Sequence, residues 1–141
     1  MDIVVNIDEA FDIYYVSRNS ITNTPIYFFS FITGRFERVQ GQKIFEGVAF
    51  INANNVCTEI INKYLVQAHI KPYADDYKRK AKLTHKKVTC FLNYFEHIDG
   101  CYDFEKYEIN SLTKILKDWC KENNLCYTEP VVYSLDNIRN G

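Results

Sequence analysis

Histidine and cysteine side chains that could bind zinc lie close together in one part of the chain. His85, Cys90, His97 and Cys101 all fall between positions 85 and 101. Their spacing differs from that of structural zinc sites, in which the ligands come in closely spaced pairs. The five cysteines form no C-x-x-C pair and their number is odd, so reduced thiols are expected rather than a disulfide framework. The sequence therefore predicts neither a metal site nor structural disulfides.

Motifs that bind phosphate or expose a nucleophile are also missing from the sequence. The chain contains no G-x-x-x-x-G-K-[ST], no G-x-G-x-x-G and no G-x-S-x-G. In these motifs, glycines bring backbone N–H groups close to a phosphate or place a serine on a sharp turn. No cofactor is therefore expected, and the sequence favours a protein without a catalytic centre.

The most unusual stretch is basic. Residues 71–88, "KPYADDYKRKAKLTHKKV", hold seven Lys or Arg residues and two Asp residues. This segment carries a charge of about +5 and the rest of the chain about −6. A helix beginning at Ala74 would have its acidic residues first and its basic residues later, as the helix dipole favours. Too few apolar residues are present for a buried stripe, so we expect the segment on the surface. Its candidate binding residues are Lys78, Arg79, Lys80, Lys82, Lys86 and Lys87.

Three interpretations of the basic segment stay open. Its lysines could contact phosphates while Tyr73 and Tyr77 stack on bases, as in proteins that bind single-stranded nucleic acid. It could instead dock on an acidic protein, or be a solvated connector between two parts of the core. A dedicated nucleic-acid binder is more often basic throughout, and this chain has a formal net charge of −1.

An acidic and aromatic stretch follows at 96–108, "EHIDGCYDFEKYE". Acidic residues interleaved with aromatic ones suit a small inhibitor that fills a basic cleft, because charge steers association and the rings supply desolvated anchors. The alternative is a solvated hairpin whose aromatic side chains reach back to the core. The candidate partner-binding residues are Asp99, Tyr102, Asp103, Phe104, Glu105 and Tyr107.

Hydrophobic periodicity predicts an α+β fold with one domain over residues 1–141. The first fifty residues are expected to form a β-meander of three or four strands, drawn from 2–7, 11–17, 25–32 and 33–51, with Gly34 and Gly41 at hairpin turns or a bulge. Two more strands are expected at 87–98 and 125–135. Residues 25–32 are apolar on both pleat faces and suit the middle of a sheet. Helical spacing appears at 54–69 and 110–123. We therefore expect one mainly antiparallel sheet of about five or six strands, covered by these two helices.

The predicted order of three strands, helix, strand, helix and strand resembles the ribonuclease H-like fold over most of the chain. That resemblance implies Mg²⁺ held by carboxylates of the first strand, the first helix and the fourth strand, as two-metal cleavage requires. Asp8 or Asp12 could stand at the first position, Glu59 at the second and Asp99 at the third. The middle of the predicted fourth strand carries Asn93 instead of an acid, and the chain lacks the family's Asp-Gly-Ser start. For Glu59, an i, i+4 ion pair with Lys63 is the simpler interpretation.

Two functional hypotheses follow. The first is a non-enzymatic protein-interaction domain, in its most specific form a small stoichiometric inhibitor such as a toxin-immunity protein or a viral or phage counter-defence protein. The second is a nucleic-acid-binding protein or a degenerate, Mg²⁺-dependent nuclease. No signal peptide and no membrane-spanning stretch is recognisable, so the cytoplasm of the cell or of an infected host is the expected location. The expected partner is a protein, and the chain is expected as a monomer or a homodimer.

Overall fold

A short strand leads directly into the first helix. The computed structural model describes residues 3–41, 44, 46–96 and 101–134, except for the side chains of residues 101 and 102. Strand β1, Val4–Asn6, is followed by helix α1, Ile7–Ser17. Asn6 begins the helix, because its side chain accepts a hydrogen bond from the backbone N–H of Glu9, and asparagine is a favoured N-cap.

The predicted strand at 11–17 is wrong, because these residues belong to α1. Its aromatic and β-branched composition favours a strand locally, but its buried positions recur at helical spacing. Ala10, Phe11, Tyr14 and Ser17 lie on one side of the helix and are all buried. Burial of this face against the core outweighs the local β propensity.

A three-stranded antiparallel sheet forms within the segment predicted as a β-meander, but its strands are not ordered as in a meander. Strands β2, Tyr27–Ser30, β3, Phe36–Arg38, and β4, Gly47–Ala49, lie in the order β3-β2-β4, so the predicted strand at 25–32 is central. Gly34 and Gly41 follow β2 and β3 with φ angles of +68° and +66°, a left-handed conformation that glycine adopts without a steric penalty.

The predicted single sheet of five or six strands is not found among the described residues. A separate two-stranded sheet pairs β1 in parallel with β5, Cys126–Thr128, so the predicted strand at 125–135 is confirmed only over its first part. The described elements run from β1 and α1 through three strands and four further helices to β5. That order is not ribonuclease H-like.

Four further helices supply most of the remaining core. Helix α2, Ala53–Leu65, confirms most of the predicted helix at 54–69, and a short 3₁₀ turn, Ala68–Ile70, follows it. The predicted helix at 110–123 forms the second half of α5, Cys101–Glu122. Between them lie α3, Lys71–Ala81, and α4, Lys87–Phe95.

Helix α4 overturns the strand predicted at 87–98. Val88, Cys90, Leu92 and Tyr94 alternate as in a strand, while Val88, Phe91 and Phe95 follow helical spacing, so the pattern fits both periods. In the structure, Val88, Phe91 and Phe95 are buried and follow helical spacing. Tyr64 of α2 and Phe104 of α5 contact this face, with ring centroids 6.1 and 4.6 Å from that of Phe91. The buried side chains of all five helices join one apolar cluster, and no described helix is long and apolar enough to cross a membrane.

Two glycines are expected to respond differently to the same substitutions. A Cβ atom at Gly47 would lie 2.2 Å from the backbone oxygen of Phe29, whereas at Gly34 it would meet open space. Gly47→Ala should lower the free energy of unfolding by about 1–3 kcal/mol through overpacking. Gly34→Ala should lower it by about 1–2 kcal/mol through the left-handed backbone.

Substitution by asparagine distinguishes overpacking from backbone strain as the cause of lost stability. Urea unfolding measures the free energy of unfolding of each variant. Asn tolerates left-handed backbone, so Gly34→Asn should cost less than Gly34→Ala. Gly47→Asn should cost at least as much as Gly47→Ala, since the clash comes from Cβ itself. Equal responses at the two sites would contradict the packing of β4 against β2.

Candidate functional site

Helix α3 and the turn after it display a cationic face to solvent. Ala74, Tyr77 and Ala81 are buried, and this spacing turns the remaining sides of the helix outward. Every one of the six predicted basic residues is exposed. We call them the basic surface: Lys78, Arg79, Lys80, Lys82, Lys86 and Lys87.

Asp76 organises one side of the basic surface. Its carboxylate lies 3.2 Å from the Arg79 guanidinium and 3.4 Å from the Lys80 ammonium. The Tyr94 hydroxyl of α4 donates a hydrogen bond of 2.6 Å to the same carboxylate. This hydrogen bond holds the pKa of Asp76 below its ordinary value, with the two cations as smaller causes. Asp76 therefore links α3 to α4 and holds Arg79 and Lys80 along the helix.

The turn between α3 and α4 is fixed by hydrogen bonds. The Lys87 ammonium donates to the carbonyl of Ala81, and the Tyr77 hydroxyl donates to the carbonyl of Lys87 at 3.1 Å. The backbone N–H of Thr84 also donates to Ala81, at 3.2 Å. Leu83 is 97% exposed in this turn. The turn thus presents an apolar side chain among lysines.

A groove lies beside the basic surface, between α2 and α3. Its volume is about 280 Å³, and its apolar lining comes from both helices. Two ammonium groups, two small polar side chains and four apolar side chains border it: Lys78, Lys87, Thr58, Asn62, Ile61, Leu65, Tyr77 and Ala81. A groove with this lining can hold an apolar group whose neighbours are anionic.

Within the described part of the acidic stretch at 96–108, exposed and buried side chains alternate. Phe104 is only 5% exposed and packs on Tyr64, with ring centroids 5.0 Å apart, so it does not lie on the surface. Tyr107 is half-buried and also packs on Tyr64. These two aromatic side chains reach back to the core, as the alternative interpretation held, although on a helix instead of a hairpin.

The remaining members of that stretch have separate surroundings. The Asp103 carboxylate lies 2.7 Å from Nε2 of His69 and accepts a hydrogen bond from the Tyr64 hydroxyl at 3.3 Å. Glu105 is exposed. Asp99 lies outside the described residues, as does the side chain of Tyr102. Glu96, Asp103 and Glu105 are therefore the described acidic positions of the stretch that solvent reaches.

Of the carboxylates proposed to bind Mg²⁺, Asp8 and Glu59 have separate surroundings, and Asp99 lies outside the described residues. Asp8 accepts hydrogen bonds from the backbone N–H groups of Val131, Val132 and Tyr133, at 3.0 to 3.1 Å, and thereby holds the segment after β5 against α1. Glu59 is exposed on α2. Within the described residues, no three His, Cys, Asp or Glu side chains form a group that could hold a metal ion.

The sequence did not indicate the most strongly buried charge in the described structure. Glu108 is 2% exposed and accepts hydrogen bonds from Arg18, at 2.6 and 2.7 Å, and from the Tyr14 hydroxyl, at 2.7 Å. The Cys57 thiol lies 3.6 Å from the same carboxylate. Glu108 stands 90 and 94 positions from Arg18 and Tyr14, so no local pattern joins them.

These contacts suppress reactivity instead of creating it. Burial, and then the charge of Glu108, raises the pKa of the Cys57 thiol to about 12. The same two causes raise the pKa of Tyr14. Burial alone would lower the pKa of Arg18, but the Glu108 charge and hydrogen bond raise it overall. The group therefore keeps a protonated thiol, a protonated phenol and a closed ion pair, and we interpret it as structural.

Comparison of the chain with protein-family models, with curated proteins and with solved structures returns no match. No relative assigns a role to any of these side chains. Function is therefore inferred from the exposed cations of the basic surface and from the groove beside it.

Removing the buried carboxylate should destabilise the protein strongly. Glu108→Ala leaves the Tyr14 hydroxyl and Arg18, whose side chain is 18% exposed, without their partner. Breaking a fully buried pair costs about 3–5 kcal/mol, and the partial exposure of Arg18 places the expected loss at or below the lower end of that range. Denaturant unfolding measures the loss. Glu105→Ala, on the exposed side of the same helix, should change the free energy of unfolding by no more than about 0.5 kcal/mol. Similar values for the two variants would show that the ion pair is not a structural centre.

Thiol labelling at pH 8 should distinguish buried from exposed cysteines. Cys57, with a pKa of about 12, and Cys120, whose pKa burial raises to about 11, stay protonated at this pH. Cys126 is exposed. Iodoacetamide should therefore modify Cys126 at least about tenfold faster than the other two, as followed by peptide mass spectrometry. Labelling in denaturant supplies the control, and rapid modification of Cys57 in the folded protein would contradict this packing.

Proposed function

We propose that the protein is a non-enzymatic protein-binding domain whose basic surface docks on an acidic partner. The observation that supports this proposal is the concentration of exposed cations on α3 and the following turn. The segment carries about +5 in a molecule whose remainder carries about −6. Such a charge distribution orients the protein as it approaches a negatively charged surface.

The structure also changes which segment is proposed to bind. The acidic stretch turns Phe104 inward and uses Asp103 to contact His69. The basic surface keeps its ammonium groups in solvent and adds Leu83, which is 97% exposed. Cations around an apolar side chain match an interface with an apolar centre and a charged rim. In its most specific form, the protein is a stoichiometric inhibitor of that acidic partner.

A second candidate function is binding of single-stranded nucleic acid by the same surface. Tyr73 favours it, because this side chain is 43% exposed on α3 and could stack on a base beside phosphates held by lysines. Both functions use the same cations. They differ in the response to salt and to loss of Leu83.

Reversal of charge on the basic surface tests both functions. The variant Lys78→Glu/Lys82→Glu/Lys86→Glu avoids the cations that pair with Asp76. It should weaken capture of the partner from the native cell by at least about tenfold, because rim charges govern encounter and like charges repel. The matched control reverses three exposed lysines of α5, Lys106→Glu/Lys114→Glu/Lys121→Glu, and should leave capture unchanged.

Nuclease treatment and Leu83→Ser distinguish a protein from a nucleic acid. A protein partner should stay bound after nuclease treatment and bind Leu83→Ser more weakly. Loss of all captured material with nuclease, together with binding of an oligothymidylate that falls steeply with salt, would favour the second function. If the partner is an enzyme, an equimolar amount of this protein should abolish its activity. Equal capture by both triple variants would refute the basic surface as the binding site.

A further inference from the structure

The groove between α2 and α3 gives the proposed partner a more specific chemistry. We propose that it receives one apolar side chain of an acidic protein segment, while the carboxylates beside that side chain pair with Lys78 and Lys87. This inference rests on the proposed function, since it specifies how the same surface would bind a protein. The proposed function requires only attraction between the basic surface and an acidic partner, whereas the groove defines where one side chain of that partner binds.

The size of the groove favours a single side chain as its occupant. Pockets for small molecules and cofactors usually measure about 300–1,000 Å³, and this groove measures about 280 Å³. Its lining includes Ile61, Leu65 and Ala81, which have no polar side-chain atoms to orient a cofactor. These three side chains are 2%, 5% and 3% exposed, so they form the floor of the groove and offer a small apolar surface. Such a floor can contact one leucine or phenylalanine side chain but is too small for a stacked ring system.

Charge at the border of the groove selects the residues next to that side chain. Lys78 and Lys87 are both exposed, and both border the groove. The Lys87 ammonium donates one hydrogen bond to Ala81 and has three donors in all, so it can also bind a carboxylate. Thr58 and Asn62 add hydrogen-bonding groups at the same border. An apolar residue flanked by Asp or Glu is therefore complementary to the groove.

The groove is held in shape before any partner arrives. Tyr77 is 4% exposed in its wall, and its hydroxyl donates to the Lys87 carbonyl at 3.1 Å. This hydrogen bond connects the wall to the start of α4 and fixes the backbone that carries Lys87. A rigid site loses less conformational entropy on binding.

The same geometry disfavours a nucleobase in the groove. Bases bind by stacking on exposed aromatic faces, and Tyr77, the aromatic residue among the described lining, is almost completely buried. Tyr73 is exposed but does not line the groove. Nucleic acid would therefore lie along the basic surface without entering the groove.

The test uses the full chain, ¹⁵N-labelled, and three short fluorescent peptides. One is acidic with a central Leu, the second is acidic with a central Ser, and the third has the central Leu between Asn and Gln. The acidic Leu peptide should bind at least about tenfold more tightly than either of the others, as expected for an apolar anchor with charged neighbours. Its binding should shift the amide signals of Ile61, Leu65 and Ala81.

A variant that fills the groove without changing charge provides the decisive comparison. Asn62→Trp places a large ring at the border and should weaken binding of the acidic Leu peptide by at least about tenfold. Asn55→Trp, at an exposed position of α2 outside the groove, should leave it unchanged. If Asn62→Trp does not fold, Lys78→Met with Lys114→Met as its control tests the border instead.

Several results would overturn the docking site. The first two are equal affinity for the acidic Leu and Ser peptides and no saturable binding of the acidic Leu peptide. The third is equal binding of that peptide by Asn62→Trp and Asn55→Trp. The fourth is that decanoate binds in the groove and the peptides do not. An oligothymidylate that shifts the same groove amides would also overturn it. A different result would refute the proposed function. In that case Lys78→Glu/Lys82→Glu/Lys86→Glu would capture the partner as well as the unsubstituted protein does, independently of the result for Asn62→Trp.

Discussion

The described structure depends on the ion pair of a buried carboxylate. Glu108 lies in the first half of α5, and its oxygens are shared by Arg18 and Tyr14 of the first helical region, while Cys57 of α2 approaches within 3.6 Å. A buried carboxylate without such partners is strongly unfavourable. These helices must therefore meet in one arrangement, in which Tyr14 of α1 and Arg18, directly after α1, reach the same side chain. The contact contributes specificity of packing beyond what the surrounding apolar side chains provide.

That arrangement determines which charged segment faces solvent. Once Glu108 points into the core, helical spacing turns Phe104 inward as well, against Tyr64 and Phe91. Helix α4 then packs beside α2, and α3 attaches to α4 through Tyr77, whose ring lies 5.6 Å from that of Phe91. Only one side of α3 is needed for this contact. The acidic stretch is thus drawn into the fold, and the basic surface remains outside it.

Local signals explain which parts of this fold could be predicted. The apolar spacing after Asn52 or Asn54 indicated α2, and the glycines at 34 and 41 indicated turns after β2 and β3, because each signal acts over a few residues. The segments at 11–17 and 87–98 were wrongly predicted as strands, since runs of aromatic and β-branched residues fit a strand and a buried helix equally. The exposure of α3 was predictable from its few apolar residues. The Glu108 ion pair was not, because its partners are 90 or more positions away.

The basic surface and the groove have different roles in the proposed complex. Exposed charges act over about a Debye length, roughly 8 Å at physiological salt, so the cations of α3 mainly accelerate and orient the encounter. They discriminate poorly among acidic partners, since surface ion pairs contribute little affinity. A groove with an apolar lining acts only at contact and slows dissociation. Selectivity for one acidic partner therefore has to come from the apolar side chain that the groove accepts, with Lys78 and Lys87 requiring that its neighbours be acidic.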